Sequence, residues 1–169
     1  RSSSNIYNQS LLASIIASDG ATAARDWAAG MVANMARTPS GGDTDQIKAV
    51  AAGEGDVAVV NTYYVGRMLA GRKGADNKAL AEKVKVVFPN PTHVNVSGAG
   101  VTASSDNPQA ALKLIEFLAS PNAGKGYAAA NLEYPVKGFG NNPILRSWGT
   151  FKADGVSVEQ LGAKNKQAQ

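Results

Sequence analysis

An α/β fold, with a sheet covered by helices on both faces, is what this sequence predicts. Two observations carry the expectation. Short apolar runs bounded by turn residues, Val57-Ala58-Val59-Val60 and Val84-Lys85-Val86-Val87-Phe88, have the length and composition of buried parallel strands. They alternate with stretches whose apolar residues recur at helical spacing, the pattern of a sheet layered with helices. The length, 169 residues, suits one ordinary domain or two lobes sharing a chain.

The elements follow in order. Leu11, Leu12, Ile15 and Ile16 define a helix from about Asn8, which Ser18-Asp19-Gly20 stops. Thr22 can cap a second helix through about Ala36, with Trp27, Met31, Val32 and Met35 on one face. The Thr38-Pro39-Ser40-Gly41-Gly42 stretch reads as a loop, and Asp43 or Thr44 can cap a short third helix through Ala52. After the first strand a helix is expected from about Tyr63 to Ala70, then a charged surface excursion over 71–82. Residues 94–102, β-branched with small residues between them, read as a strand with close backbone neighbours. Asn107-Pro108 opens an amphipathic helix through Ala119, with Ala111, Leu114, Ile115 and Leu118 facing inward. Ser120-Pro121 opens another helix to about Ala130. Residues 131–151 are loop-rich, and 158–166 form a last helix.

Composition narrows the function classes. Hydrophobic residues make up 44% of the chain, enough for a core. The absence of cysteine removes disulfides, thiolate metal sites and cysteine nucleophiles together. The net charge of +4 comes from 17 basic and 13 acidic residues that are scattered, with no aromatic row between them, which speaks against nucleic acid. With one histidine, His93, and no Gly-x-Ser-x-Gly elbow, a nucleophile–His–acid site has little support. Imidazole is a common metal ligand, so the residue alone leaves His93 open between a metal role and a structural one. Asp43-Thr44-Asp45 begins like a calcium loop, but the remaining pattern is missing and helix capping explains it. Tyr127 and Tyr134 read as packing residues.

Two strand-to-helix junctions carry chemistry. Asn61-Thr62-Tyr63-Tyr64 directly follows an apolar run, where ligands of open α/β sheets bind. Adjacent tyrosines diverge by about 100° on a regular helix, yet both can meet one ion in a first turn. Packing is the ordinary alternative. Asn5-Ile6-Tyr7-Asn8 follows Ser2, Ser3 and Ser4, so hydroxyls and free N–H groups suit an anionic ligand. A plain N-cap explains the same residues.

Taken together, these segments resemble a family. The stretch from Arg1 to Ser10, Gly41-Gly42-Asp43-Thr44-Asp45-Gln46-Ile47 and Ala51-Ala52-Gly53-Glu54-Gly55 carry the likeness. Asn61-Thr62-Tyr63-Tyr64, His93-Val94-Asn95-Val96-Ser97-Gly98-Ala99-Gly100 and Glu133-Tyr134-Pro135-Val136 complete it. The chain is similar to the ferric-iron substrate-binding proteins of bacterial ABC importers, most of all the cyanobacterial-type branch with three tyrosines in the C-terminal lobe.

The resemblance implies a periplasmic-binding-protein type II-like fold, no enzymatic activity, a periplasmic location, and an ABC permease of the inner membrane as partner. It implies Fe(3+) as the ligand, held by Tyr7, Tyr63 and Tyr64, with Asn5, Asn61, Ser4 and Arg1 around them. Residue 1 is then expected to be a cut point inside a longer protein. Residues 1–92 would form most of the C-terminal lobe, and 93–169 a hinge-crossing strand and helices belonging largely to the N-terminal lobe. Those helices would expose an apolar face, which points to a homodimer, a rearrangement or a missing partner chain. The residues alone leave two other readings open: a site for an anion or small organic acid built on Ser2–Asn5 with Arg1 or Arg67, and an isolated lobe that binds nothing.

Overall fold

The computed structural model describes residues 4–136 and 142–169. Among these the helices are α1 (Ile6–Ala33), α2 (Asp43–Ala51), α3 (Thr62–Leu69), α4 (Ala75–Ala81), α5 (Pro108–Leu118), α6 (Pro121–Ala130), α7 (Pro143–Ser147) and α8 (Val158–Ala168). They fall into two compact units. One draws on Arg1–Val60, Val87–Asn95 and Phe151–Gln169, the other on Asn61–Val86 and Val96–Thr150. The units interleave along the chain. A local cause is visible: Thr92 and Ala153 form a parallel bridge, which ties the 87–95 segment to the one that begins at Phe151.

In the first unit, Gly20 has φ 89° and ψ 166°, so the two expected helices meet at a kink inside α1. Only glycine takes that conformation without strain. The buried face of α1, Ala13, Ile16 and Ala24, packs with Ala168 of α8, and Leu12, Ile15 and Leu161 close over this cluster. α8 starts from a capping box: Ser157 Oγ accepts from the Gln160 N–H, and Gln160 Oε1 accepts from the Ser157 N–H. α2 is capped differently from expectation. The cap is Gly42, whose N–H donates to Asp45 at 2.8 Å, and Asp43 is buried in the first turn. The loop before it is held by Arg37, which pairs with Glu54 at 2.9 Å and donates to Gln46.

The expected strands do not form as buried elements. Among the described residues the Thr92–Ala153 bridge is the β pairing, and 57–60, 84–88 and 94–102 lie in no ladder. Val57 is 85% and Val87 80% exposed. Apolar composition alone cannot make a strand: each N–H and C=O needs a neighbouring strand to bond, and no described segment supplies one there.

In the second unit, α3 packs against α4 and α7. α4 occupies part of the region expected to be a surface excursion, and α7 lies in the region expected to be loop. Asn142 starts α7 by accepting from the Ile144 and Leu145 N–H groups, while its Nδ2 donates to the Ala128 carbonyl. That bond fastens α7 to α6 around a core of Ala128, Leu132 and Leu145, covered by Tyr134, Ile144 and Trp148. Arg72 closes the other side by donating to the carbonyls of Ala129 and Ala130 at the end of α6. α5 buries no residue: Leu112, Leu114 and Phe117 are exposed, so Leu114 does not face inward as its spacing suggested. Amphipathic spacing defines a face, not what covers it.

Candidate functional site

The tyrosine pair sits in the first turn of α3. Asn61 ends the preceding segment with extended φ/ψ of −78° and 133°, and its carbonyl accepts from the Tyr64 N–H at 3.2 Å. The Tyr63 and Tyr64 rings stack, with centroids 4.3 Å apart and planes 29° from parallel. Both lie within the helix, yet their side chains turn toward each other rather than diverging. Offset stacking is a favourable arrangement for aromatic quadrupoles. Both rings are half-buried. The Arg67 guanidinium lies over the Tyr63 ring, 4.8 Å from its centroid, and brings positive charge to the face of the pair.

The base of α3 explains why the pair is held firmly. Val65 and Met68 are buried at 3% and 0% exposure. Gly66 between them touches Leu132 and Trp148 so closely that a Cβ there would lie 2.7 Å from Leu132 Cβ. Glycine is what lets α3 approach this core, and the approach leaves Tyr63 and Tyr64 on a rigid turn.

Tyr7 belongs to the other unit. It is the second residue of α1, half-buried, and its N–H donates to Asn5 Oδ1 at 3.0 Å. Asn5, expected among the groups around the ligands, is the N-cap that fixes the entry of Tyr7 into the helix. Ser4 is exposed, Asn61 is half-buried, and Arg1 lies outside the described residues. The structure thus brings Tyr63 and Tyr64 together and places Tyr7 at a separate helix start. Among the described residues no three His, Asp or Glu side chains gather as a metal-binding group.

A second polar cluster was not foreseen. His93 Nδ1 lies 3.1 Å from Asp154 Oδ2, and His93 Nε2 lies 3.2 Å from Ser10 Oγ and 3.1 Å from Asn95 Oδ1. Ser14 Oγ also donates to Asp154 Oδ2, and Asp154 Oδ1 accepts from the Val156 N–H. The His93 and Asp154 side chains are each 10% exposed. Burial pushes the Asp154 carboxyl up, but the Ser14 hydroxyl, the Val156 N–H and His93 together hold it below the usual carboxylate range. Ser14 and Asp154 are 140 residues apart, and no spacing in the sequence joins them. Tyr134, read as packing, does pack on the second core, and burial pushes its hydroxyl up.

Residues 1–155 match the bacterial extracellular solute-binding proteins. The chain belongs to that family. Among curated members it is 50% identical over 167 residues to Iron uptake protein A1 of Synechocystis, an alignment covering 96% of this chain and 46% of that protein. Iron uptake protein A2 of the same organism is 47% identical, over 96% of this chain and 49% of that protein. A Trichodesmium protein solved in complex with iron and citrate superposes with a TM-score of 0.93 at 47% identity, over 99% of this chain and 54% of that one. The chain thus spans about half the length of the relatives it matches. The likeness confirms the α/β, periplasmic-binding-protein type II-like class for this solute-binding chain. The expected strands lack their ladders here, but the segments follow the path of that fold.

Proposed function

We propose that this chain carries tyrosine ligands of a ferric-ion site, and that the intact protein captures Fe(3+) in the periplasm and delivers it to an ABC permease of the inner membrane. The observation that carries the reading is the stacked Tyr63–Tyr64 pair on a rigid first turn of α3. The names of the relatives support it, since they describe iron uptake proteins and an iron complex.

The chemistry is consistent. Fe(3+) is a hard, highly charged ion that prefers oxygen ligands. A free phenol ionises near about pH 10, and a bound cation favours the phenolate strongly. Three phenolates, the number that Tyr7, Tyr63 and Tyr64 offer, balance the charge of one ferric ion. Asn5 supports Tyr7 from its cap, and Asn61 supports the turn that carries the pair. The protein's role is binding and delivery, not catalysis.

The test is a visible absorption titration with ferric nitrilotriacetate, run beside a Tyr63→Phe, Tyr64→Phe double variant. A broad tyrosinate-to-iron charge-transfer band in the parent, absent from the folded double variant, is the expected result. A folded parent without a band, or a band that survives the double substitution, overturns the assignment. Phenolate formation releases protons, so the band is expected to fade as the pH is lowered.

A further inference from the structure

We infer that His93 and Asp154 are positioning residues for Tyr7, acting through the face of α1 that carries it. The inference rests on the ferric-ion reading above.

Tyr7, Ser10 and Ser14 stand at i, i+3 and i+7 along α1, which puts them in one stripe of the helix. The two serines of that stripe are both engaged by the His93–Asp154 pair. Ser10 Oγ meets His93 Nε2, and Ser14 Oγ donates to Asp154. The pair itself is fixed from behind. Thr92 donates its N–H to the Lys152 carbonyl at 2.8 Å and accepts from the Asp154 N–H at 2.9 Å, so the residues on either side of the bridge cannot slide. Asn95 Oδ1 and the Val156 N–H complete the hydrogen bonding of the histidine and the carboxylate.

The ring nitrogens have a defined task. Asp154 Oδ2 is an acceptor, so His93 Nδ1 donates to it, while Nε2 meets Ser10 Oγ and Asn95 Oδ1. A hydrogen bond to a carboxylate is stronger than one between neutral groups. At 10% exposure the pair is little screened by water. The consequence is mechanical. Rotation of α1 about its axis, or a slide along it, breaks the Ser10 and Ser14 bonds together. Tyr7, one turn before Ser10, is thereby held in one rotational setting of the helix. A ligand held in place before the ion arrives loses less freedom on binding and binds more tightly.

The experiment is a double-mutant cycle on iron affinity and on the charge-transfer band. His93→Ala is expected to weaken ferric binding about tenfold, the lower end of what supporting groups around metal ligands contribute. It should also change the band in the same direction as Tyr7→Phe. In a Tyr7→Phe background, His93→Ala is expected to have no further effect, because nothing is left for it to position. His93→Gln, which keeps one donor, should recover part of the loss. If His93→Ala does not fold, Ser10→Ala takes its place, since it removes one hydroxyl from the same contact and is expected to show the same non-additivity. Losses that add in the double variant, or unchanged affinity in a folded Ser10→Ala or His93→Ala protein, overturn the inference and leave the iron reading standing. A folded parent with no band overturns both.

Discussion

Gly66→Ala is the perturbation whose size the structure fixes best. An added methyl would sit 2.7 Å from Leu132 Cβ, 3.0 Å from Leu132 Cγ and 3.3 Å from the Trp148 ring edge. Leu132 cannot step aside cheaply. It is 1% exposed and its backbone has a positive φ of 58°, a conformation that already costs a non-glycine residue about 1–2 kcal/mol. Overpacking of this kind costs about 1–3 kcal/mol, and a clamped neighbour argues for the upper end. Alanine returns about 1 kcal/mol through its better helix propensity. The net is a destabilisation of about 2 kcal/mol, or a Tm fall of about 4–8 °C for a chain of this size. Gly30→Ala is the control, because nothing lies within 4 Å of its added methyl; only the propensity term acts, and the Tm should rise by about 2–4 °C. The assay is thermal unfolding by circular dichroism, with the near-ultraviolet signal reporting on Trp148 and the tyrosine pair. Gly66→Ala at or above parent stability would show that α3 is not seated on Leu132 as described, and the argument for a rigid tyrosine turn would go with it.

Other outcomes follow from the same contacts. Ser157→Ala removes one half of the α8 capping box and should cost about 1 kcal/mol in thermal unfolding; a loss on that scale in the α1–α8 unit, with the tyrosine band unchanged, is the expected pattern. Asp154 has a depressed folded-state pKa. Its contribution to stability is therefore complete above the ordinary carboxylate value of about 4 and is lost as pH falls through the folded value. Acid unfolding curves of the parent and Asp154→Asn should consequently converge at low pH and differ near neutrality. Tyr63→Phe with Tyr64→Phe should abolish the iron band, and His93→Ala should act only when Tyr7 is present.

Much of the helical structure was legible because its signals are local. Gly20 stops the first helical run by taking a positive φ, Pro108 and Pro121 open helices, and Ser157 with Gln160 forms a capping box. The tyrosine pair was legible for the same reason: two phenols after an apolar run at a helix start are a short-range pattern. The strands were not legible as such. A run like 57–60 records the chance of burial, and whether a ladder forms depends on a neighbour far away in sequence or absent from the described residues. α4 and α7 were missed because a seven-residue and a five-residue helix carry too few turns for periodicity to show.

The sequence by itself determined most of the longer helices, the absence of thiol chemistry, and the pairing of two tyrosines at a helix start, since each depends on residue type and near neighbours. Only the tertiary structure decided that Tyr63 and Tyr64 stack, that Gly66 sets their turn against Leu132 and Trp148, and that His93 joins Asp154 to the serines of α1. Apart from the adjacent tyrosines, these are contacts between residues tens of positions apart. No local propensity encodes them, and packing alone brings them within hydrogen-bond or van der Waals reach.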